Sequence, residues 1–177
     1  VLAVPEARGG ATAASGRALH HIVVGVDRSE PSLAALGVAA DIAGVTGAAV
    51  SVLEVFEYVP PFPLGHATAV TSRGEETAFN VTSAFLEAEV REIRDRGVAT
   101  QVVVRSGEPA PTLLEVAADV DADLVVVGTR GRGDPAQPLL GSVARTVVNQ
   151  ARRPTLVIPA AAGPVHLLPD NETSVSG

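Results

Sequence analysis

The sequence contains no cysteine, no tryptophan and no lysine. The absence of Cys excludes disulfide bonds, thiolate metal sites and cysteine nucleophiles. The absence of Lys excludes Schiff-base chemistry and the phosphate-binding lysine of a P-loop, so a phosphate ligand would have to be held by Arg side chains or backbone amides. Aromatic residues make up only 3% of the chain, which argues against an aromatic cage or a base-stacking surface.

The net charge and the hydropathy of the chain argue against two kinds of partner, nucleic acids and membranes. The net charge is −7, whereas a protein that binds nucleic acid normally carries a basic face. No apolar run reaches the roughly 18 residues of a membrane span, and residues 1–17 lack the solid apolar stretch of a secretory signal. We therefore expect no nucleic-acid partner, no membrane partner and a cytoplasmic location.

Strand and helix patterns alternate between residues 20 and 159. The repeated strand–helix–strand units predict a doubly wound α/β domain with a five-stranded parallel sheet and helices on both faces. Residues 1–19 and 160–177 are predicted to be flexible tails, and residues 58–74 a long loop. The predicted strands are residues 22–26, 49–55, 101–104, 124–127 and 155–158. A first helix is predicted to begin after Ser29 and to be broken by Gly44 and Gly47, and the other helices are predicted over residues 75–96, 109–120 and 139–151.

Two of the loops that follow strands carry residues suited to ligand binding. The first predicted strand ends at Asp27 and the fourth ends at Gly128. In open α/β sheets, ligands bind beyond the carboxyl ends of the strands, where the strand order reverses. The order 3-2-1-4-5 makes these two strands neighbours, whereas the order 2-1-3-4-5 separates them. The placement of the two loops therefore favours 3-2-1-4-5.

The loop after the fourth strand is rich in glycine and arginine. Gly128, Gly131 and Gly133 allow the backbone to approach an anion closely and to turn its N–H groups inward. Arg130 and Arg132 add formal positive charge. This composition indicates a phosphate-binding loop, and the alternative is a flexible surface turn.

The last predicted helix begins at the end of this loop. Gly141 and Ser142 lie at its start, where free N–H donors and the positive end of the helix dipole favour an anion. The Ser142 hydroxyl is a further donor. Farther along, the helix is expected to bury Val143, Ala144 and Val147 at helical spacing.

These residues resemble the universal stress protein family, in its nucleotide-binding type. The family spacing of Gly, two residues, Gly, nine residues and then Gly-Ser is matched by Gly128, Gly131, Gly141 and Ser142. The resemblance spans residues 20–159. It also includes Val-Gly-Val-Asp at 24–27, Leu-Leu-Gly-Ser-Val-Ala at 139–144 and Arg-Pro-Thr-Leu-Val-Ile-Pro at 153–159.

The resemblance implies an ATP site. Gly25 and Asp27 would line the adenosine side, and the main chain of Val55 would meet adenine. For Asp27, the alternative is that it only caps the following turn. The phosphates would be wrapped by Gly128, Arg130, Gly131, Arg132 and Gly133, with Gly141, Ser142 and Val143 donating from the start of the helix. The sequence differs from the family's common pattern at Arg130 and Gly133 and adds Pro135 and Pro138.

The sequence predicts binding rather than fast catalysis. No general base or nucleophile stands beside the loop, so no catalytic residue is assigned and at most slow ATP hydrolysis is expected. Asp27 and Asp134 could assist a Mg²⁺ ion that accompanies ATP, and no separate metal site is predicted. ADP and AMP remain open as ligands, as does an interaction module that binds no nucleotide. An ATP-splitting enzyme is disfavoured because the P-loop and the related His-x-Gly-His and Ser-Gly-Gly-x-Asp signatures are missing.

The last predicted strand suggests an assembly surface. Leu156, Val157 and Ile158 are expected at an edge of the sheet, and apolar edges are commonly covered by a symmetric copy of the chain. The resemblance also implies a homodimer through this strand. The expected protein is a regulatory, dimeric sensor or sequesterer of adenine nucleotide in a stress response.

Overall fold

The computed structural model describes residues 2–3, 18–56, 68–129 and 140–159. Strands and helices alternate as predicted, with an additional short strand near the start of the chain. The strands are β1 (Leu2–Ala3), β2 (His21–Gly25), β3 (Ala49–Phe56), β4 (Thr100–Ser106), β5 (Leu124–Gly128) and β6 (Thr155–Ile158). The helices are α1 (Glu30–Thr46), α2 (Thr68–Asp95), α3 (Pro109–Asp119) and α4 (Ser142–Gln150).

The strands form one six-stranded sheet in the order β1-β6-β5-β2-β3-β4. Near its centre, β2 pairs in parallel with β3, where Val23 lies opposite Ser51, and with β5, where Val23 lies opposite Val125. β4 and β6 extend the parallel pairing on either side. The five predicted strands are β2 to β6, so the predicted parallel sheet of order 3-2-1-4-5 is confirmed. The order reverses between β2 and β5.

Helices cover both faces of the sheet because successive side chains of a strand point to opposite faces. Ile22 and Val24 pack in a buried cluster with α1 and α2, whereas Val23 packs in a second cluster with α3 and α4. All three side chains are fully buried. A strand that is covered on both faces has to be apolar throughout, as β2 is between His21 and Gly25.

Helix α2 begins earlier than predicted. It starts at Thr68 rather than at residue 75, so residues 68–74 of the predicted loop are helical, and residues 57–67 lie outside the described residues. The predicted boundary at Gly74 is wrong because one glycine costs a helix only about 1 kcal/mol. Although α2 has 28 residues, neither it nor any other helix in the described ranges is apolar enough to cross a membrane.

Helix α4 begins later than predicted, at Ser142 rather than at residue 139. Gly141 precedes the helix with an extended backbone, at φ −61° and ψ 164°. The buried side of the short helix is formed by Ala144 and Val147. Val143 lies beside this stripe and is 36% exposed, so the prediction that it faces inward is wrong.

Strand β1 belongs to the segment predicted as a flexible tail. Leu2 lies opposite Leu156 and Ala3 opposite Thr155, in antiparallel pairing with β6. The tail prediction is therefore wrong for these two residues, although residues 4–17 lie outside the described part of the chain. The sequence suggested that β6 would be the edge strand on its side of the sheet. That prediction is wrong, because β1 pairs with the outer edge of β6.

Candidate functional site

The two loops singled out from the sequence leave neighbouring strands at the same edge of the sheet. β2 and β5 pair in register up to Val24 opposite Val126. Two residues beyond Val126, β5 ends at Gly128, and three residues beyond Val24 the chain reaches Asp27. The sheet therefore brings these two predicted site residues to the crevice where the strand order reverses.

Gly128 allows helix α1 to pack closely against the end of β5. A Cβ atom at this position would lie 2.7 Å from the carbonyl carbon of Pro31 and 2.8 Å from the backbone nitrogen of Ser32. Contacts this short with backbone atoms cannot be relieved by rotating a side chain. The glycine is thus required by packing of the first turn of α1, whether or not it also contacts a ligand.

Substitution of Gly128 by Ala is expected to lower the free energy of unfolding by about 1–3 kcal/mol, because the new methyl group would displace the start of α1. Gly37, in the middle of α1, is the matched control since a Cβ there meets nothing within 4 Å. Gly37→Ala should raise the stability by roughly 0.5–1 kcal/mol. Urea unfolding followed by circular dichroism measures both, and equal effects would contradict the packing argument.

Asp27 organises the turn between β2 and α1. Its Oδ1 atom accepts hydrogen bonds from the Ser29 N–H at 3.1 Å and the Ser29 hydroxyl at 2.5 Å. The Asp27 N–H in turn donates to the Ser32 hydroxyl at 3.2 Å. The carboxylate therefore has the turn-capping role that the sequence left open as an alternative, and it does so at the mouth of the crevice.

Arg28, which is partly exposed, forms a polar cluster with the buried residues Glu54 and Thr82 that the sequence analysis missed. Its Nε atom lies 3.1 Å from each carboxylate oxygen of Glu54, and its Nη2 donates to the Thr82 hydroxyl at 3.1 Å. The guanidinium also lies 4.4 Å from the centroid of the Phe85 ring, within range of a cation–π interaction. This cluster joins the turn that carries Asp27 to β3 and α2.

A sequence signal for this cluster was available. Glu54 interrupts the apolar pattern of β3 between Leu53 and Val55, and it is only 5% exposed. A buried carboxylate requires a partner, and in the structure that partner is Arg28. The backbone of Arg28 is in the left-handed region, at φ 66°, a conformation that an arginine adopts only when its surroundings hold it there.

The main chain of Val55 is directed into the crevice. Pairing of β2 with β3 ends at Leu53, whose carbonyl accepts from the Val26 N–H at 2.8 Å. The Phe56 carbonyl points the other way, toward β4, where it accepts from the Gly107 N–H at 3.2 Å. Because alternate residues of a strand direct their backbone groups to the same side, Val55 presents its N–H and C=O to the space beyond β2.

Gly25 has a packing role like that of Gly128, but a weaker one. It is the last residue of β2, and a Cβ atom there would lie 3.3 Å from Leu113 Cδ2 and 3.7 Å from Val127 Cγ1. The close neighbour is the flexible end of a side chain, which can shift by a few tenths of an ångström. Gly25 therefore lets α3 approach the sheet at the base of the crevice.

The two ends of the glycine-rich loop are tied together by backbone hydrogen bonds. The Thr129 N–H donates to the Ile158 carbonyl at 2.7 Å, and the Gly141 N–H donates to the Thr129 carbonyl, also at 2.7 Å. The first bond of helix α4 runs from the Arg145 N–H to the Gly141 carbonyl. The start of α4 is therefore fixed beside the end of β5, and the Gly141 N–H, which the resemblance assigned to the phosphates, donates to the Thr129 carbonyl instead.

The first turn of α4 presents backbone donors that no described side chain caps. Ser142 and Val143 are both exposed, and no side chain in the described ranges caps the helix start. The first N–H groups of a helix have no partner within it, so this end keeps its affinity for negative charge. The remaining loop residues of the prediction, Arg130, Gly131, Arg132 and Gly133, lie outside the described residues.

A pocket of about 360 Å³ opens on the α2 side of the sheet. It is lined by side chains from the ends of β3 and β4 and from α2, among them Phe56, Phe79 and Arg105. It includes neither Asp27 nor Gly128, so it is separate from the crevice between β2 and β5. Among the described residues, no group of three His, Asp or Glu side chains is placed to hold a metal ion.

The geometry defines a doubly wound α/β domain with a crevice where the strand order reverses and a helix start at the crevice mouth. The sequence profile of the Universal stress protein family matches residues 18–159. That range includes all of the sheet except β1, and the chain belongs to this family.

Two relatives illustrate the extent of the similarity. Universal stress protein Sll1654 from Synechocystis sp. is 30% identical over 138 residues, which are 78% of this chain and 84% of the relative. Universal stress protein Rv2005c from Mycobacterium tuberculosis is 33% identical over 148 residues, which are 80% of this chain but 48% of the relative. The chain thus spans about half the length of that mycobacterial protein.

Solved structures share the fold. UspA from Lactobacillus plantarum superimposes with a TM-score of 0.70 at 23% identity, covering 81% of this chain and 99% of that one. A universal stress protein in complex with cAMP has a TM-score of 0.54 at 30% identity and covers 82% and 100%. The Archaeoglobus fulgidus protein in complex with dAMP has a TM-score of 0.54 at 25% identity and covers 80% and 99%.

Proposed function

We propose that this protein binds ATP in the crevice between β2 and β5 and serves as a regulatory sensor or sequesterer of adenine nucleotide in a stress response. The observation that carries the proposal is the 2.7 Å bond from the Gly141 N–H to the Thr129 carbonyl. This bond fixes the open N-terminus of α4 at the mouth of the crevice. Polyphosphate bound there would accept from backbone amides without a lysine.

The adenine end of the proposed site is supported by Val55. Its N–H and C=O point into the space beyond β2, where they can pair with the hydrogen-bonding edge of a purine. The two nucleotide complexes among the similar structures contain cAMP and dAMP, which both carry adenine. For this chain, Arg130, Arg132 and the helix start favour a ligand with more than one phosphate, and ATP is the proposed ligand.

The proposed role is binding with at most slow hydrolysis. The described part of the crevice offers one carboxylate, Asp27, whose Oδ1 is engaged by Ser29. A Mg²⁺ ion that arrives with ATP would need further oxygen ligands from the phosphates or from Asp134.

Gently purified protein should retain adenine nucleotide, because the donors at the crevice mouth are held in place before a ligand binds. Native mass spectrometry, followed by chromatography of the released nucleotide, identifies the ligand and separates ATP from ADP and AMP. A turnover assay with Mg²⁺ should show at most slow release of phosphate. Protein that is free of nucleotide and stays free when ATP is added would contradict the proposal.

One observation favours a second candidate, a protein-interaction module that binds no nucleotide. Gly128 is required by the packing of α1, and Asp27 caps a turn, so two residues of the predicted site have structural reasons to be present. The two candidates differ in their nucleotide content, and the mass spectrum therefore decides between them.

We also propose an oligomeric state and a location for the protein. We propose a homodimer in which β6 pairs across a two-fold axis with its copy, because β1 pairs with only two of its four residues and a strand at the side of a sheet is a template for such pairing. The proposed location is the cytoplasm, where ATP is available. Light scattering during size-exclusion chromatography measures the oligomeric state.

A further inference from the structure

The outer edge of β6 is occupied by the chain itself. Leu2 and Ala3 form strand β1 and lie opposite Leu156 and Thr155. On its other side, β6 pairs with β5 along all four of its residues, from Thr155 to Ile158. The described pairing with β1 involves only the first two of these four, and it adds one short strand to an otherwise parallel sheet.

The direction of β1 is the direction that a symmetric partner would have. When a two-fold axis perpendicular to the sheet relates two copies of a strand, the two copies run antiparallel. β1 also runs antiparallel to β6. It therefore occupies part of the edge with which the β6 strand of a second molecule would pair, and it does so in the same orientation.

We propose that the Leu2–Ala3 segment competes with a second copy of this chain for the outer edge of β6. Dimerisation then requires strand exchange, in which β1 leaves β6 before the partner strand pairs. Two residues contribute few ladder hydrogen bonds, whereas the β6 strand of a second molecule has four residues. β1 is therefore readily displaced by that strand. This inference rests on the proposed homodimer.

A reversible staple tests the competition. Ala3 and Thr155 are directly opposed, and opposed residues of an antiparallel pair are close enough for a disulfide. Because the chain has no cysteine, the double variant Ala3→Cys/Thr155→Cys can form only the intended bond within one chain. Non-reducing electrophoresis and intact mass verify the bond, and sedimentation velocity gives the dimer dissociation constant. The matched control is Ala3→Ser/Thr155→Ser, treated with the same oxidant.

The stapled chain is expected to remain monomeric at concentrations where the reduced chain and the serine control dimerise. Conversely, Leu2→Pro/Ala3→Pro, which cannot complete the ladder, should tighten the dimer by about tenfold. A dimer whose dissociation constant is the same with and without the staple would overturn the competition while leaving the homodimer in place. Monomers in every sample would overturn both, and neither result bears on nucleotide binding, which is measured separately.

Discussion

Arg28→Ala is expected to lower the free energy of unfolding by about 3 kcal/mol, because it leaves a buried carboxylate without its counter-ion. The Glu54 side chain is 6% exposed and the Arg28 side chain 28%, so the carboxylate is almost completely shielded from water. The alanine retains a Cβ atom at φ 66°, and the backbone strain at this position is therefore unchanged. For a chain of this length the loss corresponds to a fall in Tm of about 6–12 °C.

An exposed ion pair in the same chain is the control. Arg94 donates to Glu87 at 2.5 Å, but the two side chains are 38% and 51% exposed. The hydrogen bond from Arg94 holds the pKa of the Glu87 carboxyl below its usual value. Arg94→Ala should nevertheless cost less than about 1 kcal/mol, since solvent screens exposed pairs. If the two arginine variants are equally stable, burial does not determine how much the Arg28–Glu54 pair contributes to the free energy of unfolding.

A second variant separates the lost charge pair from lost packing. In Arg28→Ala/Glu54→Leu neither partner remains, and the leucine would lie beside Phe85 in the apolar cluster under α1 and α2. Replacing both partners of a buried pair by apolar groups is often nearly neutral. The double variant should therefore recover most of the stability that Arg28→Ala loses.

Ser142→Pro is expected to weaken ATP binding by about 100-fold or more, because it removes a backbone donor and a hydroxyl that would face the phosphates. Proline is well suited to this position. Ser142 is the first residue of α4, where the N–H makes no bond within the helix. Gly141 before it already has the extended backbone that a following proline requires. The fold should consequently keep its stability.

Ser142→Ala is the matched variant for this test, because it removes the hydroxyl and keeps the backbone N–H. It should weaken ATP binding by only about tenfold. Isothermal titration calorimetry of the wild type and both variants then isolates the contribution of the amide. Equal affinities for Ser142→Ala and Ser142→Pro would show that the Ser142 amide does not donate to the ligand.

The sequence was sufficient to predict the order of the parallel strands, for a physical reason. Asp27 and Gly128 suit a common site only if the strands before them are neighbours, and the order 3-2-1-4-5 achieves this. The apolar runs of β2 and β5 also required cover on both faces. Strand β1 was not predictable in the same way, since two residues have no periodicity and their pairing depends on β6, more than 150 positions away in sequence.

The candidate site was predictable in part. Motif spacing located Gly128, Gly141 and Ser142 at the loop ends, but it does not distinguish a glycine needed by a ligand from one needed by packing. The contact of Gly128 with the backbone of Pro31 appears only when α1 is placed on the sheet. The Arg28–Glu54 pair was missed because 26 residues separate its members, although an acid within an apolar strand is a signal that a partner must exist.

The most direct test of the account is a titration of ¹⁵N-labelled protein with ATP, followed by the chemical shifts of the backbone amides. We expect saturable shifts at Ser142 and Val143, whose amides would donate to the phosphates, and at Val55 from adenine. The amides of Phe79 and Arg105, which lie at the separate pocket on the α2 side, should move little. Saturable shifts at that pocket with none at the start of α4, or no saturable shift at all, would contradict the proposal that backbone amides at the β2–β5 crevice bind the nucleotide.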